Sequence, residues 1–463
     1  MHVPDRVYGI ETEYGCILQR RDGTIISPDS FPLSFLAERM SRDENKLLGL
    51  ILPGCRLWHT NGSLTYIDTG NHPEHATPEA RSVRDAVACY KAGDRLMTRA
   101  FSCVQGDECA VLLFKNNLSH NPQEVTHAFG CHENYLTHSS KHVLADTSNA
   151  FVPFLVTRQI FDGAGCWDRD GSFFMSQRTL YRGCREAPFP VGVKDPKGER
   201  SGRLHLTIGD SNILEFASFL KLGTTSLVLS LIESGWTSRM KLLRPTIDCY
   251  HVSQSSPKER LIHVPRQGWT SALDIQIYYL EAVRHYLTSA TFDSEETAHE
   301  CRAIVAAWED ALNALFKNDT AWMLGRIDWV TKRWFAERQS VAKKKSEASK
   351  RMREDFDILY HAIAEGSLQE RMSARWHDRR IVTDDEIAYA MDHPPSRTRA
   401  CLRAGFVHSV MNWHVSGLYV DWEYMALQES DQLLARIALQ DPLADTNNDI
   451  HEFIKRLALH NKK

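Results

Sequence analysis

Asn61-Gly-Ser-Leu-Thr-Tyr-Ile-Asp-Thr-Gly-Asn-His-Pro-Glu-His-Ala-Thr-Pro-Glu79 is the stretch whose reading decides the fold. Ser63 to Asp68 reads as a short β-strand centred on the β-formers Thr65, Tyr66 and Ile67. Side chains alternate along a strand, so Leu64, Tyr66 and Asp68 share one face and Ser63, Thr65 and Ile67 the other. Thr69-Gly70-Asn71 breaks the strand, and His72-Pro73 keeps the chain extended before Glu74. Pro78-Glu79 suits the first turn of a helix running through Arg81, Ala86 and Tyr90 to about Val104. A phenol, carboxylates, imidazoles and hydroxyls are thereby concentrated between a strand end and a helix start, a density expected of a site. The bland alternative is ordinary turn chemistry for Asp68-Thr-Gly-Asn71 and a helix-terminus role for Glu79.

Composition narrows the function classes. A chain of 463 residues can bury one large core and a smaller one. With 55 Lys+Arg against 59 Asp+Glu, no global field points to nucleic acid or membrane. The start, Met1-His-Val-Pro-Asp-Arg6, lacks a signal peptide's basic and apolar regions, and no apolar run is read as spanning a bilayer. Eleven scattered cysteines without a Cys-x-x-Cys pair argue for reduced thiols and against structural zinc. The expectation is a cytoplasmic protein.

Arg6-Val-Tyr-Gly-Ile-Glu-Thr-Glu-Tyr-Gly15 opens with a second strand, with Ile10, Thr12 and Tyr14 on one face and Glu11 and Glu13 on the other. Two carboxylates on one face are costly if buried unless a cation or bases neutralise them; a solvated edge strand is the alternative. Spacing predicts mostly helix from about Ser30 to Leu52, a strand over Cys109 to Phe114 followed by Lys115-Asn-Asn117, and a helix starting near Ser148 and ending near Gly163. In Gly130-Cys-His-Glu-Asn-Tyr-Leu136, His132 and Glu133 are either site groups or a supporting hydrogen-bonded turn, and support is favoured. Phe173 to Arg178 reads as a strand and Arg182 to Gly202 as a surface loop. Arg203-Leu-His-Leu-Thr-Ile208 alternates clearly, with Arg203 and His205 opposite the core face. Asp210-Ser-Asn212 is read as capping a long apolar helix that reaches Ser234, with a weak point at Gly223. Trp269 to Lys345 is helical with a break near Phe292-Asp293, and Lys343 to Arg353 is a basic run, read as a solvated face. His393-Pro-Pro395 suggests a boundary, beyond which Val420-Asp-Trp422 is the one strand-like island between helices.

Magnesium prefers hard oxygen ligands, usually one or two carboxylates with water and substrate phosphates. Glu11, Glu13 and Glu74 could supply them from neighbouring strands, while Lys115, Arg203 and His205 could answer phosphate charge. That combination reads as a nucleotide–magnesium site without a Walker loop.

Ile10-Glu-Thr-Glu-Tyr-Gly15, Asn61-Gly62 with Tyr66-Ile-Asp68 and His72-Pro-Glu74, Phe114-Lys-Asn-Asn117, Gly130 to Leu136, Pro153-Phe-Leu-Val-Thr-Arg-Gln159 and Arg203-Leu-His205 with Gly209-Asp-Ser-Asn212 closely resemble the Pup ligase/deamidase family. Ser271-Ala-Leu-Asp-Ile-Gln276, Ile327-Asp-Trp-Val330, Thr383-Asp-Asp-Glu-Ile387 with Pro394-Pro395, and Val420-Asp-Trp422 extend the resemblance in order along nearly the whole chain. The resemblance implies an α+β fold: a curved antiparallel sheet packed with helices, as in glutamine synthetase, over residues 1–392, and a small C-terminal domain over 393–463. It implies ATP and Mg2+ as cofactors, with Glu11, Tyr66 and Glu74 as metal ligands, Thr77 and Trp422 as nucleotide contacts, and Asp68 as catalytic base.

Two chemistries occur in that family. The ligase phosphorylates the side-chain carboxylate of the modifier's C-terminal glutamate, and a target lysine then forms the isopeptide bond; the deamidase hydrolyses an amide or that bond. Asp68-Thr-Gly-Asn-His-Pro-Glu74, Cys131, Gly163-Ala-Gly165 and the short stretch between Gly15 and Asn61 resemble the ligase more. The partners implied are a Pup-like small protein modifier and lysine-bearing protein substrates, with no nucleic acid and no membrane, and the protein itself is expected to be a monomer. Two departures stand out: Leu64 replaces the family's ATP-binding arginine, and the loop before Arg203 lacks the family's Asn-Thr-Arg-Asp-Glu-Pro-His segment. A binding-only pseudoenzyme is the alternative from another class, and the intact carboxylates argue against it.

Overall fold

Alternation along Tyr8–Glu13 produces the expected result: Tyr8, Ile10 and Thr12 are buried while Glu11 and Glu13 emerge on the opposite face. The computed structural model describes residues 1–26, 48–68, 72–101, 109–118, 128–138, 148–168, 170–180, 191–194, 202–239, 249–341, 355–364, 366–413, 417–429 and 432–460. These divide into two compact units. One comprises Met1–Tyr8, Ser82–Arg84 and Phe114–Ile381; the other comprises Gly9–Arg81, Asp85–Leu113 and Val382–Lys463. The residues from Val382 to Lys463 thus cluster with the N-terminal strands.

In the unit built from the chain's two ends, Tyr8–Glu13, Pro73–Ala76, Leu64–Ile67, Arg56–His59 and Gly49–Leu52 lie side by side in that order, all antiparallel. Gly49–Leu52 is therefore a strand, where a helix was expected; the hairpin partner Arg56–His59 overrides a helical spacing that short apolar runs share with strands. Leu33, Leu36 and Met40 of that expected helix lie outside the described residues, as do Thr69-Gly70-Asn71 and the basic run Lys343 to Arg353. The helix begun near Pro78 spans Val83–Ala100. Leu50, Leu52, Trp58 and Leu64 form one core with Phe406, Val407, Val410, Leu418, Val420 and Met425, so the sheet and the C-terminal elements share buried apolar surface. Beyond Pro394-Pro395, which follow the Asp384–Asp392 helix, the chain forms a three-stranded antiparallel sheet of Leu418–Val420, Tyr424–Glu429 and Gln432–Ala438. The expected island Val420-Asp-Trp422 overlaps the first of these strands only at Val420, and the other two are not expected from the sequence. The other two carry mixed apolar and charged residues whose strand character comes from pairing.

In the central unit, Cys131–Thr137, Gly202–Leu206 and Val191–Lys194 lie side by side and antiparallel. Val191–Lys194 lies within the expected surface loop. Phe173 to Arg178 proves shorter as a strand, Phe173–Phe174, before a 3-10 turn at Arg178–Leu180. Trp269 sits in the Gly268–Thr270 strand, and the helical stretch opens only with Ala272–Leu287. That helix starts with a capping box in which Ser271 and Asp274 satisfy each other's backbone donors.

The apolar helix Glu215–Glu233 packs against Ser148–Thr157, Ala272–Leu287 and Glu295–Lys317. It is long and apolar enough by composition to cross a bilayer, and its apolar window is entirely buried in protein. Asp210 is not its cap. The Asp210 carboxylate accepts from the backbone of Ala164, Gln177 and Arg178 and from the Ser176 hydroxyl, while Asp328 serves the amides of Ile213 and Leu214 ahead of the first turn. Gly223 does not weaken the helix here: a Cβ would stand 2.8 Å from Ile304, so glycine permits close helix packing. Cys16, Cys55, Cys89, Cys131, Cys166, Cys301 and Cys401 are free thiols.

Candidate active site

Register assembles the site. Glu13 lies opposite Glu74, and Glu74 lies opposite Tyr66, so the three form one row across adjacent strands. Glu11 is two residues along on the same face as Glu13, and Asp68 directly follows the Leu64–Ile67 strand that carries Tyr66. The Tyr66 hydroxyl hydrogen-bonds the Glu74 carboxylate. Asp68 accepts from the backbone N–H of His72 at 2.8 Å, and the His72 Nδ1 stands 3.2 Å from a Glu13 oxygen and 4.0 Å from Asp68.

The electrostatics of the row are frustrated. Glu74 is only 5% exposed. Burial, then Glu11, Glu13 and Asp68, push its carboxyl up to about 8, against the lowering effect of the Tyr66 hydrogen bond. Burial and the Glu74 and Glu11 charges likewise push the Tyr66 phenol far above its ordinary range. A buried carboxylate among three others is favourable only with a cation between them. The donors of Glu11, Glu74 and Tyr66 are all oxygen, the chemistry that suits a hard divalent cation such as Mg2+. Glu13, Asp68 and His72 offer a second convergent set, with ligand atoms within 4.8 Å of one another. His72 was not singled out from sequence, although it lies in the His-Pro-Glu motif itself.

Thr77 is buried, and its hydroxyl accepts from the Ile10 amide at 3.0 Å while its own amide donates to the Ile10 carbonyl, leaving the hydroxyl proton available to donate. Trp422 is half-buried beside Trp58, with ring centroids 4.9 Å apart. Leu64 is 2% exposed and belongs to the apolar core with Trp58, Phe406 and Val407, with Tyr66 and Trp422 packed against it.

Arg203 and His205 lie on the Gly202–Leu206 strand of the central unit, where His205 Nδ1 meets the Asn134 side chain at 2.8 Å and its ring lies 5.0 Å from that of His132. Lys115 is wholly buried, so the phosphate role suggested for it from sequence is not supported by an exposed position. Glu133 is a supporting group: it is fully buried, held by both arms of Arg158, and accepts from the Tyr135 hydroxyl at 2.6 Å.

The scaffold and this row together define an α+β protein carrying a row of oxygen donors on an antiparallel sheet. Comparison with known proteins makes that specific. The Pup-ligase protein family matches residues 6–426, and the chain belongs to that family. The Pup–protein ligase of Acidimicrobium ferrooxidans is 32% identical, over 97% of this chain and 98% of that protein. That of Kineococcus radiotolerans is 30% identical, over 97% and 99%. Among solved structures, the complex between the prokaryotic ubiquitin-like protein Pup and its ligase PafA matches with TM-score 0.82 at 26% identity, covering 98% of this chain and 93% of that one. The Pup ligase PafA in complex with ADP matches with TM-score 0.74 at 26% identity, covering 93% and 95%.

Proposed function

We propose that this chain is an ATP-dependent Pup–protein ligase, joining the C-terminal glutamate side-chain carboxylate of a Pup-like modifier to lysines of target proteins. The observation that carries the reading is the Glu13–Glu74–Tyr66 row with Glu11 and Asp68 beside it, in a chain that matches Pup–protein ligases nearly end to end.

Glu11, Tyr66 and Glu74 would hold Mg2+, which supplies charge neutralisation for the triphosphate when bound. Thr77 and Trp422 contact the nucleotide, and Arg203 and His205 answer phosphate charge. The modifier's carboxylate oxygen attacks the γ-phosphorus and ADP leaves, forming an acyl phosphate. The lysine amine nitrogen then attacks the acyl carbon, phosphate leaves, and Asp68 accepts the amine proton. Asp68 is suited to this because the His72 N–H bond fixes its carboxylate at the strand end. Residues 1–392 carry the carboxylates and residues 393–463 contribute Trp422 as a smaller C-terminal domain. The enzyme acts as a cytoplasmic monomer, without nucleic acid or membrane.

The test supplies modifier, ATP, Mg2+ and a lysine-bearing protein and follows conjugates by mass, with a parallel arm containing preformed conjugate and no added target. Conjugate formation dependent on ATP is expected. A protein that only cleaves preformed conjugate is a deamidase, and one that binds modifier without doing either is a pseudoenzyme.

A further inference from the structure

Arg403, on the Arg399–Val410 helix, has no exposed surface. Its Nε donates to the Gly62 carbonyl at 2.9 Å, its Nη2 donates to Glu79, and its Nη1 reaches the Trp422 carbonyl at 3.5 Å. Its Cζ lies 4.5 Å from the Trp422 ring centre and 5.1 Å from that of Trp58. The two indoles meet edge to face at 70°. Trp58 is itself fully buried and donates its Nε1–H to the Val420 carbonyl at 3.2 Å, two residues before Trp422. A planar guanidinium fixed by a carboxylate, two carbonyls and two aromatic faces has one orientation left.

The clamp is itself braced. Glu79 also accepts from Arg399 Nε at 2.7 Å. Burial alone would raise its carboxyl, but Arg403 and Arg399 outweigh that and pull it to about 2, so Glu79 stays ionised at any working pH. Gly62 has φ +81°, and a Cβ there would stand 2.9 Å from the Ala400 carbonyl, so glycine allows the close helix approach that brings Arg403 within reach. A buried guanidinium is a costly way merely to fill space, since apolar side chains pack as well without desolvating a charge. Of the two indoles, Trp58 is fully buried and Trp422 half-buried.

We propose that Arg403 is a positioning residue for the nucleotide: held by Glu79 and Gly62, it supports the half-buried Trp422 indole together with Trp58 and keeps it fixed as a platform for the adenine base. This rests on the assignment of Trp422 as a nucleotide contact. An indole already held in its bound orientation need not be ordered when ATP arrives, which is worth about two- to tenfold in affinity.

The experiment measures ATP affinity by calorimetry in Mg2+ for wild type, Arg403→Lys, Trp422→Ala and the double variant, with Tm and with KM and kcat for conjugation. Arg403→Lys keeps a cation beside Glu79 and loses the planar fork. It is expected to weaken ATP about fivefold, with KM for ATP rising by a larger factor than kcat falls, and to add nothing in the Trp422→Ala background. Wild-type ATP affinity in folded Arg403→Lys, or a full additive loss in the double variant, overturns the positioning role. Unchanged affinity in Trp422→Ala removes Trp422 from the nucleotide site, and the role of Arg403 falls with it. If Arg403→Lys does not fold, Trp58→Phe decides: it keeps an aromatic ring but loses the bond to Val420, and a folded variant with unchanged ATP affinity overturns the clamp.

Discussion

Glu74→Gln removes the charge that the site tolerates least without a cation, and its consequences can be worked from the geometry. In the metal-free protein the Glu74 carboxyl is raised from an ordinary 4.5 to about 8. The folded state therefore binds more protons than the unfolded state between those values, and stability falls as pH rises through the window. The contribution is fully present below pH ~4.5 and is lost by about pH 8. The full shift is equivalent to about 5 kcal/mol, a ceiling because the neighbouring carboxylates and solvent relax to share the strain. Gln keeps the shape and can still accept from the Tyr66 hydroxyl, so the variant has no such penalty. With chelator and no nucleotide, urea unfolding at pH 8 should show Glu74→Gln more stable than wild type by at least about 1 kcal/mol. At pH 4.5 to 5 the two should converge. Saturating Mg2+ with ATP should reverse the order, because only wild type gains from the cation. A Glu74→Gln variant no more stable than wild type at pH 8 in chelator would refute the reasoning, as would identical metal response in both proteins.

Asp68→Asn should cut isopeptide formation by about 10²–10⁴-fold while calorimetry still detects ATP binding, since general-base assistance has that size; wild-type conjugation rates in the variant would remove Asp68 from the role. Leu64→Arg puts a guanidinium into the apolar core of Trp58, Phe406 and Val407, so its Tm should fall by an amount equivalent to about 2 kcal/mol or more, with ATP affinity gained by less than about tenfold. A stable variant with much tighter ATP binding would mean that this position still opens on the phosphates. Glu133→Gln leaves the buried Arg158 guanidinium with a neutral group at its two Nη atoms while Asp162 still pairs with its Nε at 2.9 Å, so chemical denaturation should register a loss of about 2–3 kcal/mol; a loss under 1 kcal/mol would show the Glu133 pair to be dispensable.

Several motifs that resemble the family are hydrogen-bond hubs and caps. The Asp328 carboxylate of Ile327-Asp-Trp-Val330 accepts from Asn212, Ile213, Leu214 and Tyr360. Gln276, which ends Ser271 to Gln276, donates to the Phe154 carbonyl and the Thr157 hydroxyl. Thr383-Asp-Asp-Glu386 is a capping box. Family resemblance flagged these residues as surely as the carboxylates, but resemblance does not separate a residue kept for folding from one kept for chemistry.

What the sequence by itself determined is what local geometry controls. Period-two alternation puts Glu11 and Glu13 on one face of Tyr8–Glu13, and Leu64 and Tyr66 on one face of Leu64–Ile67, whatever those strands pair with. The capping boxes, the Pro394-Pro395 stop and the apolar helix Glu215–Glu233 are likewise written within a few consecutive residues. Only the tertiary structure decided the rest. Strand register placed Glu13, Glu74 and Tyr66 in one row and created the charge frustration that asks for a cation. Pairing made strands of Gly49–Leu52 and Gln432–Ala438, and core packing hid Lys115 and Leu64. Arg403 reaches Glu79 across more than three hundred residues of chain. Such contacts depend on which distant surfaces find one another, and no short-range periodicity records that.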